Sequence, residues 1–207
     1  MSKKETAYIS KVRSFYNSIS PLYFLISFID KKPNKKGIIF SGPKKNDKVL
    51  CIGFGLGEEM STFSSLGSDT YGIELSEAMI KRAKSRNKVK NTVKGDSFRL
   101  PFKDNTFDIV YSSFLIDIFN KKDRIKIIKE MKRIVKAKGK IVSVNNTFED
   151  GIISKMLIGL YLLIRDNLYT RMKTRPIEAQ LIFKEAQLKS IKKKKVFWSC
   201  QAVKGTC

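Results

Sequence analysis

Residues 48–59 read KVLCIGFGLGEE: a short apolar run closes on glycines at 53, 55 and 57, and two glutamates follow at once. No other stretch constrains the chain as much, because it reads as a buried strand, a glycine turn and a helix start. In dinucleotide folds a loop of this kind aims a helix N-terminus at a pyrophosphate, and its third glycine lets the helix pack closely. Here the sixth position is Glu58 and the next is Glu59. Carboxylates there repel phosphate, and no Gly-Lys-Ser/Thr follows to make a P-loop. The loop therefore implies an adenosine-like ligand that lacks phosphate and carries positive charge.

Downstream, strands and helices alternate. Strands are expected at 48–54, 69–75, 90–95, 107–114 and 139–146. Helices are expected at 57–66, after Ser76 through SEAMIKRAKSR, and at 122–136. The last of these is amphipathic, with Ile125, Ile128, Met131, Ile134 and Val135 on one stripe. Helices of this length between strands give right-handed βαβ units and a parallel sheet. The last third differs: a long apolar helix about 151–170, a helix near 176–187, then LKSIKKKKVFW and SCQAVKG as an antiparallel pair ending the sheet. Lys192–Lys195 would lie on that exposed strand and discourage edge-to-edge pairing.

Charge is the outlier of the composition. The 207 residues carry 42 Lys and Arg against 19 Asp and Glu, a net +23. Residues 1–47 hold ten basic against three acidic, and 171–207 ten against two. Such a field favours nucleic acid, an anionic membrane surface or acidic substrates, although scattered lysines can equally serve solvation alone. Three cysteines without paired spacing and no histidine argue against a disulfide framework and against a zinc or iron site. The start MSKKETAYIS does not read as a signal peptide, so a reduced, cytoplasmic setting is expected. The apolar runs 19–29 and 152–164 fall short of the ~20 residues of a membrane span. Flanked by Lys31, Lys32, Lys35 and Lys36 and by Arg165 and Arg171, each suits either a membrane interface or packing on the core.

S-adenosylmethionine, with its sulfonium and ammonium, meets the loop's requirement. Glu74 ends the second strand, where an acidic residue hydrogen-bonds ribose hydroxyls. Asp96 and Ser97 end the third, where a carboxylate can accept from an adenine amino group. Ser112 and its neighbours bring polar groups to the end of the fourth.

With these residues in place, the chain resembles the class I S-adenosylmethionine-dependent methyltransferases, closely over 48–146 and loosely elsewhere. VLCIGFGLG matches the family's VLDIGCGTG, GIELSEAMI its GIDLSxxMI, GDSFRLPFKDNTFDIV its GDAxxLPFxDxxFDxV, and EMKRIVKAKGKIV its ExxRVLKPGGRLV. The entry segment VRSFYNSISPLYFLIS and the later TRPIEAQLIFKEAQLKSI are similar to the ubiquinone/menaquinone biosynthesis branch. The resemblance implies a Rossmann-like α/β fold: a mostly parallel seven-stranded sheet, a C-terminal antiparallel hairpin and helices on both faces. It implies an entry segment over 1–47 and a methyltransferase domain over 48–207, one domain overall. Gly53, Phe54, Gly55 and Gly57 would hold the methionine end, Glu74 and Leu75 the ribose, and Asp96, Ser97 and Ser112 the adenine side, with Tyr23 closing over the cofactor.

Departures from the motif single out Cys51, which stands where the family has aspartate, and Leu56, which stands where it has threonine. Glu58 and Glu59 are the candidates to supply the missing negative charge. Phe54 could face the sulfonium, a cation–π contact of about 0.5–2 kcal/mol, or simply pack the loop. Methyl transfer depends mainly on alignment of nucleophile and methyl group. Without histidine, a general base would be Asp117, Tyr16, Tyr111 or the acceptor's own ionised oxygen; Asp117 also suits a capping carboxylate.

The expected acceptor is lipid-soluble and prenylquinone-like, met at a membrane surface by a peripherally bound protein. A phospholipid amine, an RNA or a small molecule are alternatives, as is a non-catalytic cofactor-binding partner subunit. Against nucleic acid, the fourth strand ends in YSSF rather than an Asn/Asp-Pro-Pro-aromatic, and no cysteine sits where a base-attacking nucleophile would.

Overall fold

The computed structural model describes residues 3–147, 176–197 and 199–207. Two helices, α1 (Lys3–Ile19) and α2 (Tyr23–Ser41), precede an alternating array. That array is β1 (Lys48–Ile52), α3 (Glu58–Ser65), β2 (Asp69–Glu74), α4 (Glu77–Asn87), β3 (Thr92–Lys94), β4 (Phe107–Ser113), α5 (Lys121–Ile134) and β5 (Val135–Asn146). Helix α6 (Ala179–Glu185) and the strands β6 (Lys189–Phe197) and β7 (Cys200–Thr206) complete it. The long apolar helix expected over 151–170 lies outside the described residues.

The seven strands form one sheet in the order β3-β2-β1-β4-β5-β7-β6. β1 pairs in parallel with β2 and β4, β3 with β2, and β5 with β4; β7 runs antiparallel to β5, and β6 to β7. The chain leaves β1 towards β2 on one side and returns to β4 on the other. The carboxyl ends of β1 and β4 thus flank a topological switch point, where open α/β sheets bind ligands.

Alternation along β1 explains the two-sided core. Leu50 and Ile52 point to the face covered by α5 and α6, with Ile127, Ile128, Met131 and Phe183. Val49 and Cys51 point to the face covered by α2, α3 and α4, with Ile38, Met60, Phe63 and Ala83. Each central strand is therefore apolar on both sides, which is why it reads as a continuous hydrophobic run.

Several boundaries differ from the periodicity. The α5 stripe predicts helix to 136, but the helix stops at Ile134 because Val135 already pairs with Phe107. β5 accordingly begins at Val135 rather than 139, with a register shift before Lys140 pairs with Ile109. β3 keeps only Thr92–Lys94 of its expected span, and α6 is shorter than the predicted 176–187. α2 continues through Pro33 to Ser41, where Gly42 caps it in a left-handed conformation. On the edge strand β6, Lys192–Lys195 are all exposed.

Candidate functional site

A cavity opens at the carboxyl ends of β1, β2 and β4, with about 710 Å³ of non-atom space that is partly open to solvent. Gly53, Gly55, Glu74, Leu75, Gly95, Asp96, Ser97, Ser113 and Leu115 form its floor, and Ile9, Val12, Tyr16 and Tyr23 of α1 and α2 form its roof. In a chain so rich in lysine, the charged side chains on this wall are two carboxylates, Glu74 and Asp96.

Glu74 is organised by the backbone around it. Its Oε2 accepts from the Gly55 amide at 3.1 Å and its Oε1 from the Ser76 amide at 2.8 Å. The carboxylate thus ties the glycine loop to the end of β2, and each oxygen retains a lone pair for a ligand. Burial raises the Glu74 carboxyl's pKa, and the backbone donors oppose that rise. Asp96 Oδ1 likewise accepts from the amides of Phe98 at 2.8 Å and Arg99 at 3.2 Å, which orders the turn after β3.

The glycines do the work expected of the loop. Gly55 has φ +51°, and a Cβ there would lie 3.3 Å from the Tyr23 ring, in the space between loop and roof. Gly57 also has positive φ, and a Cβ would come within 2.7 Å of Val89, so a side chain would push α3 off its neighbour.

Tyr23 meets Tyr16 edge-on, with ring centroids 6.0 Å apart, and burial pushes the Tyr23 hydroxyl's pKa well up. α1 is pinned over the site by Asn17, whose Oδ1 accepts from Ser76 Oγ at 2.6 Å and from the Ala78 amide at 3.3 Å. Ser76 in turn caps α4 by accepting from the Met79 amide.

The remaining expected residues lie elsewhere. Ser112 is fully buried, bonding Ser143 Oγ at 3.2 Å, and its neighbour Ser113 takes the place on the cavity wall. Phe54 packs against Gly72, so closely that a Cβ there would lie 2.5 Å from the ring, and it also borders a neighbouring polar chamber. Asp117 is buried in a short 3-10 turn, with Asn146 Nδ2 donating to it at 3.5 Å, and Ile118 and Phe119 face the cavity instead. Tyr111 is buried in the core and donates to the Asn34 carbonyl.

A second, polar chamber adjoins the first and shares Tyr23, Gly53, Gly55, Ser113 and Phe114 with it. Its far wall carries Ser27, Asp30 and Asn34 of α2 and Glu58 and Glu59 of α3. Glu59 Oε1 accepts from Ser113 Oγ at 2.6 Å and from Asn34 Nδ2 at 2.8 Å. Burial raises the Glu59 pKa to about 7 against the Ser113 hydrogen bond, and burial with Glu59 nearby pushes Asp30 well up. Asp30 and Asn34 escape a motif reading of the sequence. Their signal is the spacing of Ser27, Asp30 and Asn34, a polar stripe on the side of α2 that also buries Pro33, Gly37 and Ile38.

Known proteins agree with this geometry. Residues 50–143 match the family model described as a methyltransferase domain. The demethylmenaquinone methyltransferase of Staphylococcus aureus strain MRSA252 is 30% identical over 162 residues, covering 73% of this chain and 66% of that protein. The match thus spans just under two thirds of the relative's length. Among solved structures, the complex of the Haloferax volcanii Trm112 methyltransferase activator contains a chain that superposes with a TM-score of 0.75 at 16% identity. That match covers 92% of this chain and 96% of the other. A SAM-dependent methyltransferase of Thermotoga maritima superposes at 0.74, with 17% identity and coverage of 93% and 98%; these two likenesses concern the fold. Residues 50–143 thus form a methyltransferase domain, and the fold is that of the class I S-adenosylmethionine-dependent methyltransferases.

The donor set suits that family's cofactor. Among the described residues the wall offers carboxylates and no cation, which suits a ligand bearing a sulfonium and an ammonium, and Glu74 keeps acceptor capacity at the end of β2.

Proposed function

We propose that this protein transfers a methyl group from S-adenosylmethionine to a lipid-soluble, prenylquinone-like acceptor that it meets at a membrane surface. One observation carries the lipid part of the reading, namely the outer side of α2. Leu22, Phe24, Leu25, Phe28 and Ile29 are 41–73% exposed there, next in the chain to Tyr23 of the cavity roof. Lys32, Lys35 and Lys36 continue the same side of the helix. An apolar surface that passes into a basic one is the form of an interfacial anchor on anionic lipid. The 30% identity to a demethylmenaquinone methyltransferase supports a quinone-like acceptor. No helix among the described residues is long and apolar enough to cross a membrane, so contact would be from one side.

Bound in the main cavity, the cofactor supplies an electrophilic methyl group. Glu74 would hold the ribose hydroxyls through the lone pairs that the Gly55 and Ser76 amides leave open. Asp96 and Ser97 would face the adenine, and Leu75 would pack against its ring. Tyr23 and Tyr16 would close the roof and exclude water. The acceptor would enter along Ile9, Val12, Phe98, Ile118 and Phe119, an apolar wall that suits a ring with a prenyl tail. Alignment would supply most of the acceleration. Tyr16 is the acid–base candidate on the wall, and Asp117 would act from behind it by steadying the 3-10 turn.

Methyl label from S-adenosylmethionine, followed into separated lipid, RNA and small-molecule pools, tests the reading. Label in a lipid-extractable quinone supports it, and label confined to RNA overturns it.

A further inference from the structure

The polar chamber beside the glycine loop has a chemistry that the motif alone does not specify. We propose that it seats a primary ammonium group, held by Glu59, Asp30 and Asn34. Given the function proposed above, this is the α-ammonium of S-adenosylmethionine. Glu59 then replaces, from helix α3, the carboxylate that strand β1 lacks at Cys51.

Three independent observations converge on a cationic N–H donor. First, among the described residues, those lining the chamber include three carboxylates, Asp30, Glu58 and Glu59, and no lysine or arginine. Of these, Glu58 turns to Lys31 at 3.4 Å across a part-exposed pair, whereas Glu59 is buried and points inward. Second, Asn34 is only 9% exposed, and its Oδ1 has no hydrogen-bond partner among the described residues while its Nδ2 donates to Glu59. A buried carbonyl oxygen left open costs about 1–3 kcal/mol, and a donor entering the chamber would remove that cost. The neighbouring groups leave only a donor as the complement, since the Glu59 carboxylate already takes the amide's own N–H.

Third, Glu59 lies in the first turn of α3, the helix that follows β1, and accepts from Ser113 at the end of β4, the strand paired with β1. A carboxylate has thus returned to the region of β1 by a different element. Ser113 Oγ and Asn34 Nδ2 both fix its Oε1, which holds the group at the junction of the two cavities. The chamber draws on α2 as well as α3, so the site would form only when the entry segment is docked.

Two ligands separate the amino-acid end from the nucleoside. S-adenosylhomocysteine carries the ammonium, whereas 5′-methylthioadenosine lacks the amino-acid end. Calorimetric binding of both to the full chain, to Glu59→Gln and to Asp30→Asn gives the test. Each variant should lose about tenfold or more in affinity for S-adenosylhomocysteine, as loss of a charged hydrogen bond implies. Affinity for 5′-methylthioadenosine should stay within about twofold. Equal losses on both ligands, or no loss on either, would overturn the assignment. If the unsubstituted chain binds neither ligand, the methyl-donor reading itself fails.

Discussion

Asn17 Oδ1 and Ser76 Oγ meet at 2.6 Å, which joins the entry helix α1 to the cap of α4 at the end of β2. The same oxygen also accepts from the Ala78 amide. One amide side chain therefore couples the cavity roof to the strand that carries Glu74. Asn17→Ala should destabilise the protein by about 1 kcal/mol, as loss of a cap does, seen as a lower thermal midpoint. It should also weaken S-adenosylhomocysteine binding severalfold. Unchanged binding would show that the roof docks without this bond.

Glu74 serves two partners on the loop side at once. Glu74→Ala removes the acceptor of the Gly55 and Ser76 amides. Cofactor affinity should fall at least about tenfold, since charge-assisted hydrogen bonds contribute about 1.5–3 kcal/mol. Equilibrium binding measures this directly, and an unchanged dissociation constant would refute the ribose assignment.

Glu59 makes stability depend on pH in an unusual direction. Its pKa rises from the ordinary 4.5 to about 7 in the folded protein, so the folded state binds the proton more tightly than the unfolded chain does. This contribution is fully present below about pH 4.5 and is lost as pH rises through about 7, on the order of 3 kcal/mol in total. Asp30, raised by burial and by Glu59, acts in the same sense. In chemical denaturation of the ligand-free protein, Glu59→Gln should flatten the fall between those values and raise stability at pH 8. An identical pH dependence in the variant would remove Glu59 as its source.

The outer side of α2 should be dispensable for folding. Leu25 and Phe28 are 58% and 73% exposed, so the double replacement Leu25→Glu, Phe28→Glu should leave stability within about 0.5 kcal/mol. Flotation with anionic liposomes at low salt should be lost, while S-adenosylhomocysteine binding persists. Flotation equal to that of the parent chain would place the membrane contact elsewhere.

Much of the architecture was legible because its signals are local. The run KVLCI, the stripe of α5 and the cap at Ser76 each follow from residues within one turn or one strand. The lysine run on β6 reads correctly as an edge because only an unpaired side tolerates four exposed lysines in a row. The start of β5 was not legible. Residues 135–138 continue the helical pattern, and only pairing of Val135 with Phe107 makes them extended. Ser112 and Ser113 are the same residue type side by side; the pleat of β4 turns one towards Ser143 and the other towards Glu59.

By itself the sequence determined the alternating fold, the family and the type of ligand, because repeating apolar runs and a phosphate-averse glycine loop act over short distances. Tertiary structure decided which carboxylates line the chamber beside the glycine loop. Cys51 left the strand position empty of charge, and Asn34 and Glu59 lie 25 residues apart on separate helices. Nothing local relates them. Only the packing of α2 over α3 brings an amide and a buried acid together, and desolvation there gives both a reason to seek a cation.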